Sequence, residues 1–266
     1  MGKVKLAAAA LAVAFSAVGL NACKGVSPSS FHEQMEFNRR KVITQVVSCN
    51  VAISYGDGLG SGVVYRKNGN LYALTAAHVV ADEKQIVTIT PETDKEFSLS
   101  LEAQTYATKD ILVFAVEENT TNVCYACKAE MVLVLPDVDV AVLKLVDIPE
   151  FLGSMGNSTF DFSIPDIGER VYAVGNSSYE VGTLSTGIVQ HGNRKPMGKP
   201  GDMPYIQSDC SGGPGMSGGG IFLQSTGECI GIISMKNSSN NSLYAVPMCT
   251  IRDAILNSKN KELAPE

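Results

Sequence analysis

The chain has 266 residues, 45% of them hydrophobic, and a formal net charge of −6. Such a length and apolar content suit a globular protein of one or two domains. The acidic balance, with Arg39-Arg40-Lys41 as the densest basic run, argues against nucleic acid as a partner, because phosphate neutralisation needs clustered Lys and Arg.

In chain order, Lys3 and Lys5 precede Leu6–Leu20, an unbroken small and apolar run. That run is short for a membrane span and fits the core of a secretory signal. It closes on Leu20-Asn21-Ala22-Cys23, which resembles the lipobox of bacterial lipoproteins. The resemblance implies removal of residues 1–22 as a signal peptide and attachment of lipid to Cys23. An ordinary signal peptide with an incidental cysteine is the alternative. Lys24 stands where an aspartate would, in many enteric bacteria, retain a lipoprotein in the inner membrane. The expected location is therefore the bacterial envelope, facing the periplasm, with the outer membrane open as the anchoring surface.

Residues 23–45 read as a tether followed by a helix. Ser30, with Glu33 three positions on, forms a capping-box pattern, which predicts a helix over Phe31–Thr44. The texture then changes to short runs dense in Val, Ile, Leu and Tyr: Val46–Ser54, Gly62–Arg66, Leu71–Thr75, Gln85–Thr90, Met131–Leu135 and Val138–Leu145. Arg170–Val174, Thr183–Gln190, Gly220–Leu223 and Cys229–Met235 continue the series. Many short strands punctuated by Gly, Asn, Asp and Pro predict an all-β sandwich or barrel. The polar stretch at about residues 93–130 reads as an insertion, Thr250–Leu256 as a closing helix, and residues 257–266 as a polar tail.

Seven cysteines are present. With Cys23 lipidated, the other six form an even set in an exported chain, which predicts disulfides without fixing their pairing. Cys124-Tyr125-Ala126-Cys127 has the spacing of a redox or zinc half-site but lacks a second such pair, so a structural bridge is expected there. No metal or cofactor is expected.

Ser217 lies in Gly213-Pro214-Gly215-Met216-Ser217-Gly218-Gly219, a stretch nearly free of side chains. It also satisfies G-x-S-x-G, the elbow of α/β-hydrolases, in which the histidine follows the serine. The three histidines, His32, His78 and His191, all precede Ser217, so that reading lacks a base. A serine hydroxyl attacking a carbonyl needs an imidazole to take its proton and a carboxylate to fix the imidazole's tautomer. His78 in Leu74-Thr75-Ala76-Ala77-His78-Val79-Val80 is the candidate base. Asp139, at the mouth of the apolar run Val140-Ala141-Val142-Leu143, is the candidate acid, with Asp137 its rival two residues back.

Taken together, TAAHV, DVAVLKL and GMSGG in the order His, Asp, Ser resemble the chymotrypsin-fold serine proteases, nearest to the bacterial HtrA/Deg-type branch. Gly58–Val64, Arg170–Asn176, Ser185–Val189, Tyr205–Asp209, Gly227–Ile232 and Tyr244–Pro247 resemble further blocks of that family in the right order. The resemblance covers residues 46–256 and implies two six-stranded β-barrels with short terminal helices. It implies a serine endopeptidase acting through an acyl-enzyme, with Ser217 as nucleophile, His78 as base and Asp139 as orienting carboxylate. The N–H groups of Gly215 and Ser217 would form the oxyanion hole. Ser211, Gly212, Ile233, Ser234 and Met235 would line the primary pocket. With no acid among them, small or medium apolar side chains are the expected substrates there.

Three departures from the family pattern stand out. Met216 replaces the aspartate that pairs with a freed N-terminus in digestive enzymes, which predicts no activation of that type. The segment Cys210-Ser211-Gly212-Gly213 is longer than its family counterpart, and no PDZ domain follows. A catalytically silent protease-fold module that binds peptides or an envelope partner is the alternative function.

Overall fold

The computed structural model describes residues 31–56, 58–80, 111–116, 123–148, 155–177, 180–195, 203–237 and 239–266. The signal peptide, Cys23, the tether, the Ser30 cap and the strand expected at Gln85–Thr90 lie outside these residues. Among the described residues no helix is long and apolar enough to cross a membrane.

A helix, α1 (Phe31–Ser48), leads into the strands, twelve among the described residues. The first barrel closes in the order β1 (Asn50–Tyr55), β2 (Gly58–Lys67), β3 (Asn70–Thr75), β6 (Val140–Val146), β5 (Val123–Leu135) and β4 (Ile111–Val116). The second closes in the order β10 (Gly220–Leu223), β11 (Cys229–Asn237), β12 (Ser242–Pro247), β9 (Tyr205–Ser208), β8 (Glu180–Arg194) and β7 (Arg170–Ser177). All the pairings are antiparallel. The expected pair of six-stranded barrels is thus the observed architecture.

Strand alternation explains why so many runs are apolar on every residue. In the first barrel Val51, Ile53, Ala73, Ala141 and Leu143 fill one interior, while their neighbours Tyr72, Leu74, Val140 and Val142 join a separate cluster outside it. In the second barrel Val171, Ala173, Ile221 and Ala245 point inward, and Tyr172, Val174, Phe222 and Val246 point to that shared outer cluster. Strands such as β3, β7, β10 and β12 therefore have two buried faces, so no polar face marks them in the sequence.

Several boundaries differ from expectation. The helix predicted to end at Thr44 runs to Ser48, because Val42 and Val46, four apart on one face, pack on the outer cluster. Val46–Ser48 are consequently helical, and the strand begins at Asn50. The stretch read as an insertion supplies β4 and the first half of β5, which close the first barrel. The polar tail is docked: Leu263 and Ala264 are buried, and the Tyr65 hydroxyl donates to Leu263 O at 2.8 Å.

The structural bridge expected at the Cys124–Cys127 segment is not made by Cys127, whose thiol is free. Both positions lie in β5, where a register irregularity between them sets Cys124 opposite Ala115 and Cys127 opposite Val113 of β4. Cys127, Cys49, Cys210, Cys229 and Cys249 are free thiols. Burial pushes Cys127 and Cys210 up to about 11 and Cys229 up to about 12, which disfavours the thiolate needed for redox or metal chemistry.

Candidate active site

The β3–β6 pairing sets one half of the site. Thr75 of β3 lies opposite Ala141 of β6. The chain leaves β3 into a short turn of helix, α2 (Ala77–Val80), carrying His78, and enters β6 from a 3₁₀ turn at Pro136–Val138. Asp139 caps that turn in the left-handed region at φ 52°. Its carbonyl accepts from Ala77 N at 3.1 Å, which ties the two connections together.

The geometry selects Asp139 over Asp137. The 3₁₀ turn leaves Asp137 exposed in solvent, whereas the Asp139 carboxylate lies against the imidazole. His78 Nδ1 is 3.0 Å from Oδ1 and 2.9 Å from Oδ2, and the His78 backbone N–H donates to Oδ1 at 3.1 Å. A carboxylate can only accept here, so Nδ1 carries the hydrogen and Nε2 presents its lone pair. The Ser234 hydroxyl donates to Asp139 Oδ2 as well. Burial pushes the Asp139 carboxyl up, but the His78 and Ser234 hydrogen bonds and the imidazole charge outweigh it and hold the group below its ordinary value.

Ser217 comes from the second barrel, in the loop between β9 and β10. Gly213-Pro214-Gly215-Met216 forms a turn closed by Met216 N donating to Gly213 O at 3.2 Å. Proline at the second position and φ +94° at Gly215 give it type II character. Any side chain at Gly215 would also be blocked, since a Cβ would sit 2.1 Å from Asn176 O. Among the described residues neither Gly215 N–H nor Ser217 N–H donates to an acceptor within the chain. Two adjacent unspent donors beside a hydroxyl suit a developing oxyanion.

The loop is fastened to the first barrel by a buried polar network. Ser61 N donates to Ser217 O at 2.7 Å, and Ser61 Oγ donates to Gly215 O at 2.6 Å. Asn176, on β7, donates to that same Oγ from its backbone N at 2.8 Å and from Nδ2 at 3.0 Å. Its Nδ2 also reaches Val51 O and Gly60 O, while its Oδ1 accepts from Asn50 Nδ2 and Gly182 N. Both Ser61 and Asn176 are fully buried. Neither was picked out individually by reading the sequence, although both fall within family-like blocks; a polar residue inside an apolar strand run is the signal that marks them.

Ser217 Oγ donates to Ser234 O at 3.4 Å and makes no hydrogen bond to His78 among the described residues. The contacts nevertheless run without a break from Ser217 to Ser234, to Asp139, to His78. A cavity of about 440 Å3 lies beside the hydroxyl. Of the residues expected to line it, Ile233 and Met235 do. Ser211 and Gly212 do not line it: Ser211 N donates to Ser185 Oγ at 2.8 Å, and Gly212 O accepts from Lys236 Nζ at 2.6 Å. Ser234 is turned toward the carboxylate instead of the cavity. Met216 is buried with its sulfur against Gly175. His191 is bonded locally, accepting from Asn193 N at 3.1 Å.

A family model described as the trypsin-like peptidase domain matches residues 60–232. The chain is 29% identical over 201 residues to a probable periplasmic serine endoprotease, DegP-like, of Pseudomonas fulva (strain 12-X), covering 73% of this chain and 33% of that protein. It is 29% identical over 187 residues to the serine endoprotease DegS of Escherichia coli (strain K12), covering 69% of this chain and 41% of that protein. The chain thus spans about a third to two-fifths of the length of these relatives. Its fold is similar to the crystal structure of the serine endoprotease from Yersinia pestis, with TM-score 0.55 and 21% identity over 82% of this chain and 67% of that one.

Proposed function

Because this chain belongs to the trypsin-like peptidase family, we propose that it is a serine endopeptidase working through Ser217, His78 and Asp139, and tethered to the bacterial envelope by lipid on Cys23. The observation that carries the catalytic part is the Asp139 carboxylate gripping His78 Nδ1 at 2.9 Å while Ser217 sits beside two unspent N–H donors.

In this mechanism Ser217 turns about χ1 from Ser234 O toward His78 Nε2. As Oγ bonds to the substrate carbonyl carbon, its proton passes to Nε2, and the carbonyl π pair moves onto oxygen, facing the Gly215 and Ser217 amides. The tetrahedral species collapses when the C–N bond breaks. The departing amine takes the proton from Nε2 and leaves an ester on Ser217. Water then attacks the ester carbonyl carbon and gives one proton to Nε2; the C–Oγ bond breaks, Ser217 Oγ takes that proton back from Nε2, and the carboxylic acid departs. Asp139 stays ionised throughout and holds the imidazole through Nδ1. Each amide donor contributes on the order of 3 kcal/mol to the transition state.

One observation favours a second reading, the silent peptide-binding module: the Ser217 hydroxyl is spent on Ser234 O. A fluorophosphonate probe separates the two. Labelling of the purified protein at Ser217, abolished in Ser217→Ala and His78→Ala, supports the peptidase; no labelling of folded protein between pH 6 and 9 supports the module. For the anchor, Cys23→Ser should move the protein from the membrane to the soluble fraction, and unchanged fractionation overturns lipidation.

A further inference from the structure

The cavity beside Ser217 is walled on its apolar side by Met216, Ile233 and Leu243. Its polar lining includes Lys236 and Asn241, and no Asp or Glu is among the described residues that line it. Lys236 follows Met235 on β11, one residue beyond the segment from which an apolar pocket was expected. Its Nζ is steadied by Gly212 O at 2.6 Å. An ammonium has three donors, so two remain for a ligand. Lys236 has no carboxylate partner among the described residues.

We propose that Lys236 makes this cavity select substrates with a carboxylate side chain, glutamate foremost, at the residue whose carbonyl Ser217 attacks. The inference rests on the reading of Ser217 as nucleophile, which makes the adjoining cavity the seat of that side chain. The glutamate methylenes suit the Met216, Ile233 and Leu243 walls. Its carboxylate meets the free donors of Lys236, with the Asn241 side chain beside them. Lys236 is exposed, with its ammonium tied to Gly212 O, and a charge-assisted hydrogen bond to that ammonium is the interaction that an uncharged isostere loses. A lysine or arginine side chain would bring like charge to the same point, and an aliphatic one would leave the ammonium unpaired.

Two peptides differing only in Glu or Gln at that position test the proposal with the purified full chain at low salt. The ratio of kcat/KM for Glu over Gln should be at least about tenfold. It should shrink as salt is raised, collapse toward one in Lys236→Met, and fall below one in Lys236→Glu, where like charge meets the glutamate. A ratio near one in the unmodified protein, or an unchanged ratio in Lys236→Met, overturns the proposal. Calorimetric binding of peptides ending in Glu or Gln to Ser217→Ala asks the same question without turnover, and equal affinities again overturn it. If fluorophosphonate fails to label Ser217 and neither peptide is cleaved, the peptidase reading falls, and the binding comparison still decides the role of Lys236.

Discussion

Ser61→Ala isolates the polar clasp between the barrels. The substitution removes one oxygen and almost no volume, so cavity formation contributes little. Ser61 Oγ donates to Gly215 O at 2.6 Å and accepts from Asn176 N at 2.8 Å and Nδ2 at 3.0 Å. Asn176 Nδ2 keeps Val51 O and Gly60 O, but its backbone N–H loses its acceptor in a fully buried place. Gly215 O loses its donor, although partial exposure lets water replace it. One orphaned buried group costs roughly 1–3 kcal/mol, so the variant should lose about that much stability. For a chain of this size that lowers Tm by roughly 2–12 °C. Gly215 carries its carbonyl and its candidate oxyanion donor on either side of one Cα, so loosening the first misaims the second. Complete loss of such a donor costs on the order of 10²–10³ in kcat, and a loosened one should cost roughly 10–100-fold. Peptide turnover well below the melting transition, measured beside thermal unfolding, checks both numbers. A Tm drop with kcat within about threefold of wild type would reduce the clasp to a folding device. No Tm drop at all would refute the stability reasoning.

Other substitutions probe different parts of the site. Gly215→Ala forces a Cβ to within 2.1 Å of Asn176 O at φ +94°, so the turn must reshape; kcat should fall by roughly 10²–10³, checked by peptide turnover with circular dichroism confirming the fold. Asp139→Asn keeps the shape but presents an amide to His78 Nδ1, and activity should fall about 10⁴-fold. Because the Asp139 carboxyl is held below its ordinary value near 3.8, it adds stability above that value and loses it as pH falls through the lower, folded value. The difference in urea unfolding free energy between wild type and Asp139→Asn should therefore be level near neutrality and shrink below about pH 4; growth on acidification would contradict the assignment. Deleting residues 263–266 strips Leu263 from its buried place and removes the acceptor of the Tyr65 hydroxyl. That should cost roughly 2–5 kcal/mol in the same unfolding assay, with the exposed Lys67–Glu266 pair adding little.

The sequence by itself determined the all-β character, both terminal helices and the short blocks around His78, Asp139 and Ser217. Those features are local: a capping pattern, dense β-branched runs, or a glycine-rich turn that depends on neighbours a few residues away. Strand β4, hidden in what reads as an insertion, escaped because its pairing partners β1 and β5 make it a barrel strand. Asp137 and Asp139 have the same composition around them, and a 3₁₀ turn decided which one faces the imidazole. Ser234 sits where a pocket residue was expected, yet its hydroxyl turns to Asp139, while Lys236, two residues on, lines the cavity. Tertiary structure alone decided these points, because hydrogen bonds and charge contacts act over a few ångströms of space. Barrel closure brings Ser61, Asn176 and Gly215 within that range across more than a hundred residues of chain.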